Sequence, residues 1–442
     1  MKPKTIIIIL LLMLVSIITT TVTAVDCYNC TDCTNKAVAS DVVLTLANDI
    51  DISSHPNPEG CIEIYGNNVT VDGQGYNITS TSGGRAFVSY GNYTTIQNTN
   101  GFNVSSLFKG FGEGLHHTSI LNNHFSQIKS EALTFEDGGD YSRIESNYLS
   151  SDLHEGGVAF FLFGGSHNYA YNNTIVDFYG GAFNLGSLDG GGVGTNNSII
   201  NNSITNGFWG ILLTSNSTNS IISGNILTNL TMGIMIGINI PMLNVTSSGT
   251  SDVTIVDNEL YAIDTFGILV ENAFNINITN NIVNTPTGFD IVLNNSVDSV
   301  VVGNTLNGDG LYFIGGDAPG NPLAELSGIM KFKAEKEGSV VIDWINPIET
   351  AGIVAGVTLQ GADGFIAIDS GSLDPTVNTS SVLTFENIDC GDFDLWYDGS
   401  YHNDISSLMG SGTKFLLADE GNLGGACNDI NVCNPINCVG RT

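Results

Sequence analysis

Ile199-Ile200-Asn201-Asn202-Ser203-Ile204 is answered 23 residues later by Ile222-Ser223-Gly224-Asn225-Ile226-Leu227. The phrase is an aliphatic residue, two variable positions, Asn, another variable position and an apolar residue. Its anchors are Asn123, Asn147, Asn173, Asn202, Asn225, Asn258, Asn281 and Asn304, spaced by 24, 26, 29, 23, 33, 23 and 23 residues. Between anchors runs a second alternating stretch, often opened by glycine: Gly210–Leu213, Gly233–Ile236, Gly267–Val270 and Gly288–Val292.

A period in the low twenties, with several short strands per repeat and almost no helical pattern, predicts a coil of stacked parallel strands. Leucine-rich repeats of similar period need a fixed Leu framework and a helical return, and propeller blades need about twice the length. The expected fold is therefore all-β: a right-handed parallel β-helix solenoid with an N-terminal cap and a small, sandwich-like C-terminal β domain. Rungs stacked about 4.8 Å apart place equivalent residues in ladders. Ile and Val should line the interior. The anchor Asn should occupy the tight turn between sheets, where left-handed backbone suits it and its amide can bond the Asn of the next rung. The longer gaps place loops at 186–194 and 238–250.

Working outward, Gly66–Ile78 and Thr94–Val104 read as earlier rungs. After Asn321-Pro322 the phrase disappears, and alternating runs such as Met330–Glu337 and Val382–Phe385 suggest a second β domain. The expected division is a signal peptide at 1–24, a disulfide-rich cap at 25–65, the coil at 66–322 and the C-terminal domain at 323–442. Lys2 and Lys4, the apolar run Ile6–Ile18 and Val22-Thr23-Ala24 form the three parts of a cleavable secretory signal. Export, to the cell surface or beyond, is the expected location, with no transmembrane anchor after cleavage. Cysteines agree: Cys27, Cys30, Cys33 and Cys61 lie near the start, and Cys390, Cys427, Cys433 and Cys438 near the end. Two disulfides at each end are expected, with the pairing open, and a zinc knot through Cys27, Cys30 and Cys33 is the alternative. Fourteen Asn-x-Ser/Thr triplets mark possible glycan sites, of which a minority should be modified because several overlap the repeat.

Acidic residues outnumber basic ones 44 to 12, a formal charge of −32. Signal removal takes two lysines and gives −34. Such a chain cannot neutralise a run of phosphates, which excludes nucleic acid as a partner.

The rungs resemble those of pectate-lyase-like proteins and of carbohydrate-binding proteins and sugar hydrolases. Both ends resemble, more narrowly, exported archaeal β-helix proteins, through Asp26–Cys33, Gly60-Cys61-Ile62-Glu63-Ile64, Val69–Gly75 and Phe365–Phe385. The resemblance implies the fold and an extracellular place, and it implies no reaction, since this scaffold hosts enzymes, adhesins and surface-layer parts alike. The Asn-Thr-Asp, Asp-Asp, Gly-His-Gly and Arg-Ile-Lys signatures of polygalacturonase-like hydrolases are absent. Lyases of the fold need a cationic base, and between 66 and 322 the cations are Arg85, Lys109, Lys129 and Arg143.

Five of seven histidines lie between His116 and His167. Glu131 and Glu155 both fall eight places after an anchor, so in register their carboxylates would stack one strand apart and split in pKa. With His154, Asp140, Glu136 and Asp137 they could make a glycosidase-like pair or hold calcium or a transition metal. His117 and His167 share the position six before their anchors. The aromatics around them, with Tyr169, Tyr171 and Trp209 the candidates for contact, could stack on sugar rings or fill the interior.

The expected function is a secreted or cell-surface binding and structural module, with glycans or copies of itself as partners. A polysaccharide hydrolase or lyase acting through rungs 116–170, and a calcium-bound surface-layer subunit, are the alternatives.

Overall fold

The computed structural model describes residues 24–53, 59–111, 115–135, 139–152, 157–162, 165–186, 194–214, 216–238, 249–294, 296 and 299–315, and separate strands between 326 and 418. Its body is a three-faced coil of parallel strands. The first face is a twelve-stranded sheet running from Ala24–Cys27 through Val42–Leu46 and Val69–Asp72 to Val300–Val302. The other two faces belong to one larger sheet. A second face holds His124–Ile128, Tyr148–Ser151 and Thr174–Phe178, and a third holds Leu133–Phe135, Val158–Leu162 and Gly181–Leu185. Ser203–Leu213, Ile226–Ile236 and Glu259–Glu271 run unbroken through the bend between these two faces.

The phrase forms as the sequence suggests. Its first residue points inward on the first face, where Ile96, Ile120, Ile144, Ile199, Ile222, Ile255 and Ile278 are buried one above another. Its last residue does so on the second face, through Phe125, Leu149, Ile175, Ile204 and Leu227. Where an early rung has Gly101, the Phe125 ring fills the space: a Cβ there would lie 2.0 Å from the ring.

All eight anchor asparagines are buried. Each Oδ1 from Asn147 to Asn304 accepts both the backbone N–H and the side-chain amide of the Asn one rung below, at 2.8–3.0 Å. Each Nδ2 also donates to a backbone carbonyl of an earlier first-face strand, as Asn225 does to Ile199 at 2.9 Å. One expectation needs correcting. The left-handed residue is the one before the anchor: Asn122, Ser146, Asn172, Asn201, Gly224, Asp257, Asn280 and Gly303. The bend is made there, which frees the anchor to turn its amide inward.

A second correction concerns the glycine stretch. Register places Gly210, Gly233 and Gly267 in one column, but Asp290, not Gly288, continues it. Asp290 is fully buried. Its Oδ1 accepts Thr285 N and Thr285 Oγ1 at 3.0 and 2.7 Å, and its Oδ2 accepts Gly308 N and Gly310 N at 2.7 and 3.2 Å.

At the N-terminal end a helix, Cys30–Ala37, lies where a rung below the third face would be. The Ala37 carbonyl accepts Tyr65 N and Gly66 N, and Thr34 Oγ1 bonds both the Cys61 carbonyl and Glu63 N. Disulfides Cys27–Cys33 and Cys30–Cys61 fix it, which removes the zinc alternative. Ala24–Cys27 and Val42–Leu46 pair in parallel into the first sheet ahead of Val69–Asp72. At the other end Phe332–Lys336 pairs in parallel with Leu311–Gly315, and antiparallel pairing then takes over through Val340–Trp344 and Ser381–Phe385. Residues 1–23 of the signal segment, 187–193 and 239–248 of the two long loops, and the four C-terminal cysteines lie outside the described residues. Among those described, no helix is long and apolar enough to cross a membrane.

Two predictions follow from the buried polar groups. Asn225→Ala orphans the groups that Asn225 pairs with on the rungs below and above it, and should cost about 2–4 kcal/mol. Exposed Asn277→Ala should stay within about 0.5 kcal/mol, and urea unfolding compares the two. Burial raises the Asp290 pKa against the lowering effect of its four hydrogen bonds. The folded state thus holds this proton more tightly than the unfolded chain, so its contribution is favourable in acid and is lost as pH rises through the folded pKa. Asp290→Asn, with one acceptor oxygen in place of two, should cost about 1–3 kcal/mol and flatten the change in unfolding midpoint between acidic and neutral buffer.

Candidate functional site: an aromatic corner

The chain turns from the third face to the first through a corner with one left-handed residue per rung. In order these are Asp41, Asn68, Tyr93, His117, Tyr141, His167, Asn196, Asn219, Asp252 and Asn275, with φ between 52° and 60°. Asn, Asp and His are enriched in this region, while a Tyr there is uncommon. Four consecutive rungs nonetheless carry rings. Tyr93, His117, Tyr141 and His167 stack with centroids 4.6, 4.9 and 4.6 Å apart and planes within 17° of parallel. Backbone bonds carry them, His117 N to Asp140 O at 2.9 Å and Tyr141 N to Ser166 O at 2.9 Å. Tyr93 and Tyr141 are 53% and 51% exposed.

The residue before three of the four rings supplies an acceptor to the next rung. His116 N donates to Asn92 Oδ1 at 2.9 Å, Ser166 N to Asp140 Oδ1 at 2.6 Å and Thr195 N to Ser166 Oγ at 3.1 Å. Asp140 Oδ2 lies 3.6 Å from His116 Nδ1. A shorter stack flanks the same corner where the third-face strands end: Tyr65–Tyr90 at 4.9 Å and Tyr90–Phe111 at 5.5 Å. Lys109 Nζ sits 4.4 Å over the Phe111 ring, and the Tyr65 hydroxyl donates to Glu63 Oε2 at 2.8 Å. That bond, with burial and nearby negative charge behind it, pushes the Tyr65 phenol up to about 12.

In both stacks the ring faces are turned on one another. The four-ring column carries one phenol or imidazole per rung, whereas the shorter stack ends in Phe111, which carries no polar group.

The sequence candidates divide. His117 and His167 belong to the column, joined by Tyr141. Tyr169 and Tyr171 lie two and four residues past His167 on the outer side of the first face, their rings 5.7 Å apart. Burial, then Tyr171 and Glu145, raise the Tyr169 phenol. Trp209 is on the other sheet, its ring against Gly181, where a Cβ would lie 2.3 Å from it. Phe160, Phe178 and Phe183 fill the interior, whereas Tyr179 is 66% exposed. Glu131 accepts a hydrogen bond from Ser130 and lies beside Gly157. Strand Leu133–Phe135 separates it in the chain from Asp140, which the fold brings to His116 instead. His154, Glu155, Glu136 and Asp137 lie outside the described residues. Among those described, no group of three His, Cys, Asp or Glu could hold a metal ion.

Sequence reading missed Tyr65, Tyr90, Tyr93 and Tyr141. Tyr141 was findable, since it stands six before Asn147, as His117 and His167 stand before their own anchors.

Residues 151–306 match the family model described as right handed beta helix region. No curated protein matches the chain. Among solved structures, it is similar to PfbA, a surface adhesin of Streptococcus pneumoniae, at 12% identity and TM-score 0.48, covering 71% of this chain and 87% of that one. It is similar to the A-module of the mannuronan C-5 epimerase AlgE6 of Azotobacter vinelandii at 14% identity and TM-score 0.39, covering 63% and 87%. A tailspike protein of E. coli bacteriophage HK620 in complex with pentasaccharide gives 10% identity and TM-score 0.41, covering 64% and 60%.

Glu63→Gln removes the carboxylate that holds up the Tyr65 phenol. In a phenolate-absorbance titration the last tyrosine to ionise should then move down from about 12 toward the ordinary value near 10. An unchanged final step would show that Tyr65 is not held by Glu63.

Proposed function

We propose that the chain is an exported binding protein whose coil lays an extended, uncharged glycan along its aromatic corner. One observation carries this: the Tyr93–His117–Tyr141–His167 column, half-exposed and held in left-handed backbone. The same column uses Asn or Asp on later rungs, so the turn itself does not require rings. Each left-handed Tyr costs on the order of 1 kcal/mol or more, and stacking, about 0.5–1.5 kcal/mol per pair, offsets that without accounting for the polar groups the rings carry.

A chain molecule parallel to the axis meets a hydroxyl or ring nitrogen at each rung, about every 4.8 Å. Sugars carry hydroxyls at comparable intervals and can both donate to and accept from such edges. The net charge of −32 disfavours a polyanionic glycan, which makes an uncharged one the better match.

A neutral-glycan array followed by calorimetry tests the reading. Tyr141→Asn installs the residue that the column itself uses on other rungs, so the turn should persist. It should weaken binding about 3- to 10-fold, the equivalent of one hydrogen bond, with an unchanged thermal midpoint. Absence of any neutral-glycan binding, or equal binding by the variant, would sink the proposal.

A further inference from the structure

The fold sorts the glycan-acceptor triplets by what their amides are already doing. Asn68 Nδ2 donates to Asp41 at 2.8 Å, Asn77 to Asp49 at 3.1 Å and Asn103 to the Ser80 carbonyl at 2.7 Å. Asn229 donates to Asn206 at 2.6 Å and Asn294 to Glu271 at 2.9 Å. Asn92 Oδ1 holds the His116 N–H, Asn29 Oδ1 caps the helix at Asp32, and Asn277 Oδ1 accepts the Thr279 hydroxyl of its own triplet. Asn216 is half-buried, and Asn244 and Asn378 lie outside the described residues.

Three remain. Asn172, Asn196 and Asn201 are exposed and sit at left-handed corners with φ of 54°, 57° and 55°. Their amides are barely engaged. Asn172 Nδ2 is 3.3 Å from Ser146 Oγ, Asn196 Nδ2 is 3.4 Å from its neighbour Thr195 Oγ1, and Asn201 Nδ2 donates no hydrogen bond among the described residues. The hydroxyl residues that complete the triplets, Thr174, Ser198 and Ser203, open strands and are themselves partly exposed. Each triplet therefore presents both of its recognition groups, on a turn that projects from the coil.

We infer that Asn172, Asn196 and Asn201 are N-glycosylated in the native protein. The inference is separate from the binding reading and shares with it only the premise of export. In the transfer, Asn Nδ2 bonds to the anomeric carbon of a phosphate-activated glycosyl donor. The carbon–oxygen bond to phosphate breaks, the phosphate leaves with the electron pair, and the amide nitrogen releases one proton.

Position gives the sugars a consequence. Asn172 and Asn201 stand on adjacent rungs at the anchor-Asn corner, Asn172 N donating to the Ile200 carbonyl. Asn196 is the next residue in the corner column after His167, whose N–H donates to Thr195 O. Sugar at Asn196 bounds the ring column on its C-terminal side, and sugar at the other two lines the far corner of the first face.

Intact-glycopeptide mass spectrometry of protein recovered outside its own cells tests this. Sugar mass is expected on the peptides holding Asn172, Asn196 and Asn201, with bare peptides at Asn92, Asn229 and Asn294. Thr174→Ala, Ser198→Ala and Ser203→Ala leave each asparagine in place, and each should lose the sugar at its own site only. Bare Asn172, Asn196 and Asn201, or equal occupancy at Asn92 or Asn294, overturns the inference and leaves the binding reading standing. Sugar at the three sites, together with equal glycan binding by Tyr141→Asn, does the reverse.

Discussion

The coil depends on one constraint: every rung must bond the next at the same place, so what one rung buries the next must accommodate. Main-chain pairing supplies the spacing but not the phase, because a parallel strand shifted along its neighbour still finds hydrogen bonds. The anchor asparagines supply the phase. Each joins a backbone N–H and an amide below to a single oxygen, and ties its own amide to a carbonyl of the first face. A slipped rung would leave four polar groups buried and unpaired, at about 1–3 kcal/mol each. Aliphatic columns fill the coil, and the amide ladder decides which residues enter them.

The two corners of the first face solve one steric problem in different ways. Both bend through a left-handed residue on nearly every rung. At the anchor corner that residue is Asn, Asp, Ser or Gly, the types for which such geometry is cheapest. At the other corner four rings take the place for four rungs before Asn returns at Asn196. Ring stacking recovers part of the strain, since register holds the rings at their contact distance. The remaining difference between the corners is chemical: one shows amides, the other phenols and imidazoles.

Much of this was legible in the chain. The Ile-x-x-Asn-x-apolar phrase fixed the class, the inward residues and the amide contact, because a strict period leaves few ways to stack. Three things were not legible, each for a physical reason. The bend at the residue before the anchor was hidden because Asn stands at both positions in Asn122-Asn123, Asn172-Asn173 and Asn201-Asn202. Asp290 was hidden because a buried carboxylate is recognisable only once its donors, from residues 285 to 310, are brought together. The ring column was half-seen, since histidines draw attention as chemistry and tyrosines at the same phase do not.

The stretch that matches the right-handed β-helix family starts at residue 151, and of the four stacked rings it contains only His167. The segment most faithful to the repeat is thus the plainer part, where the corner has returned to Asn and Asp. The rings lie on earlier rungs, where Thr99 stands in the anchor column in place of Asn and donates its backbone N–H to Asn123 Oδ1. A scaffold that tolerates such variation at its corners can change what it displays without disturbing its interior, because the corner side chains point outward while the ladder behind them is unchanged. The binding reading proposed for this molecule accordingly rests on the corner residues, rung by rung, while the coil sets how far apart they are held.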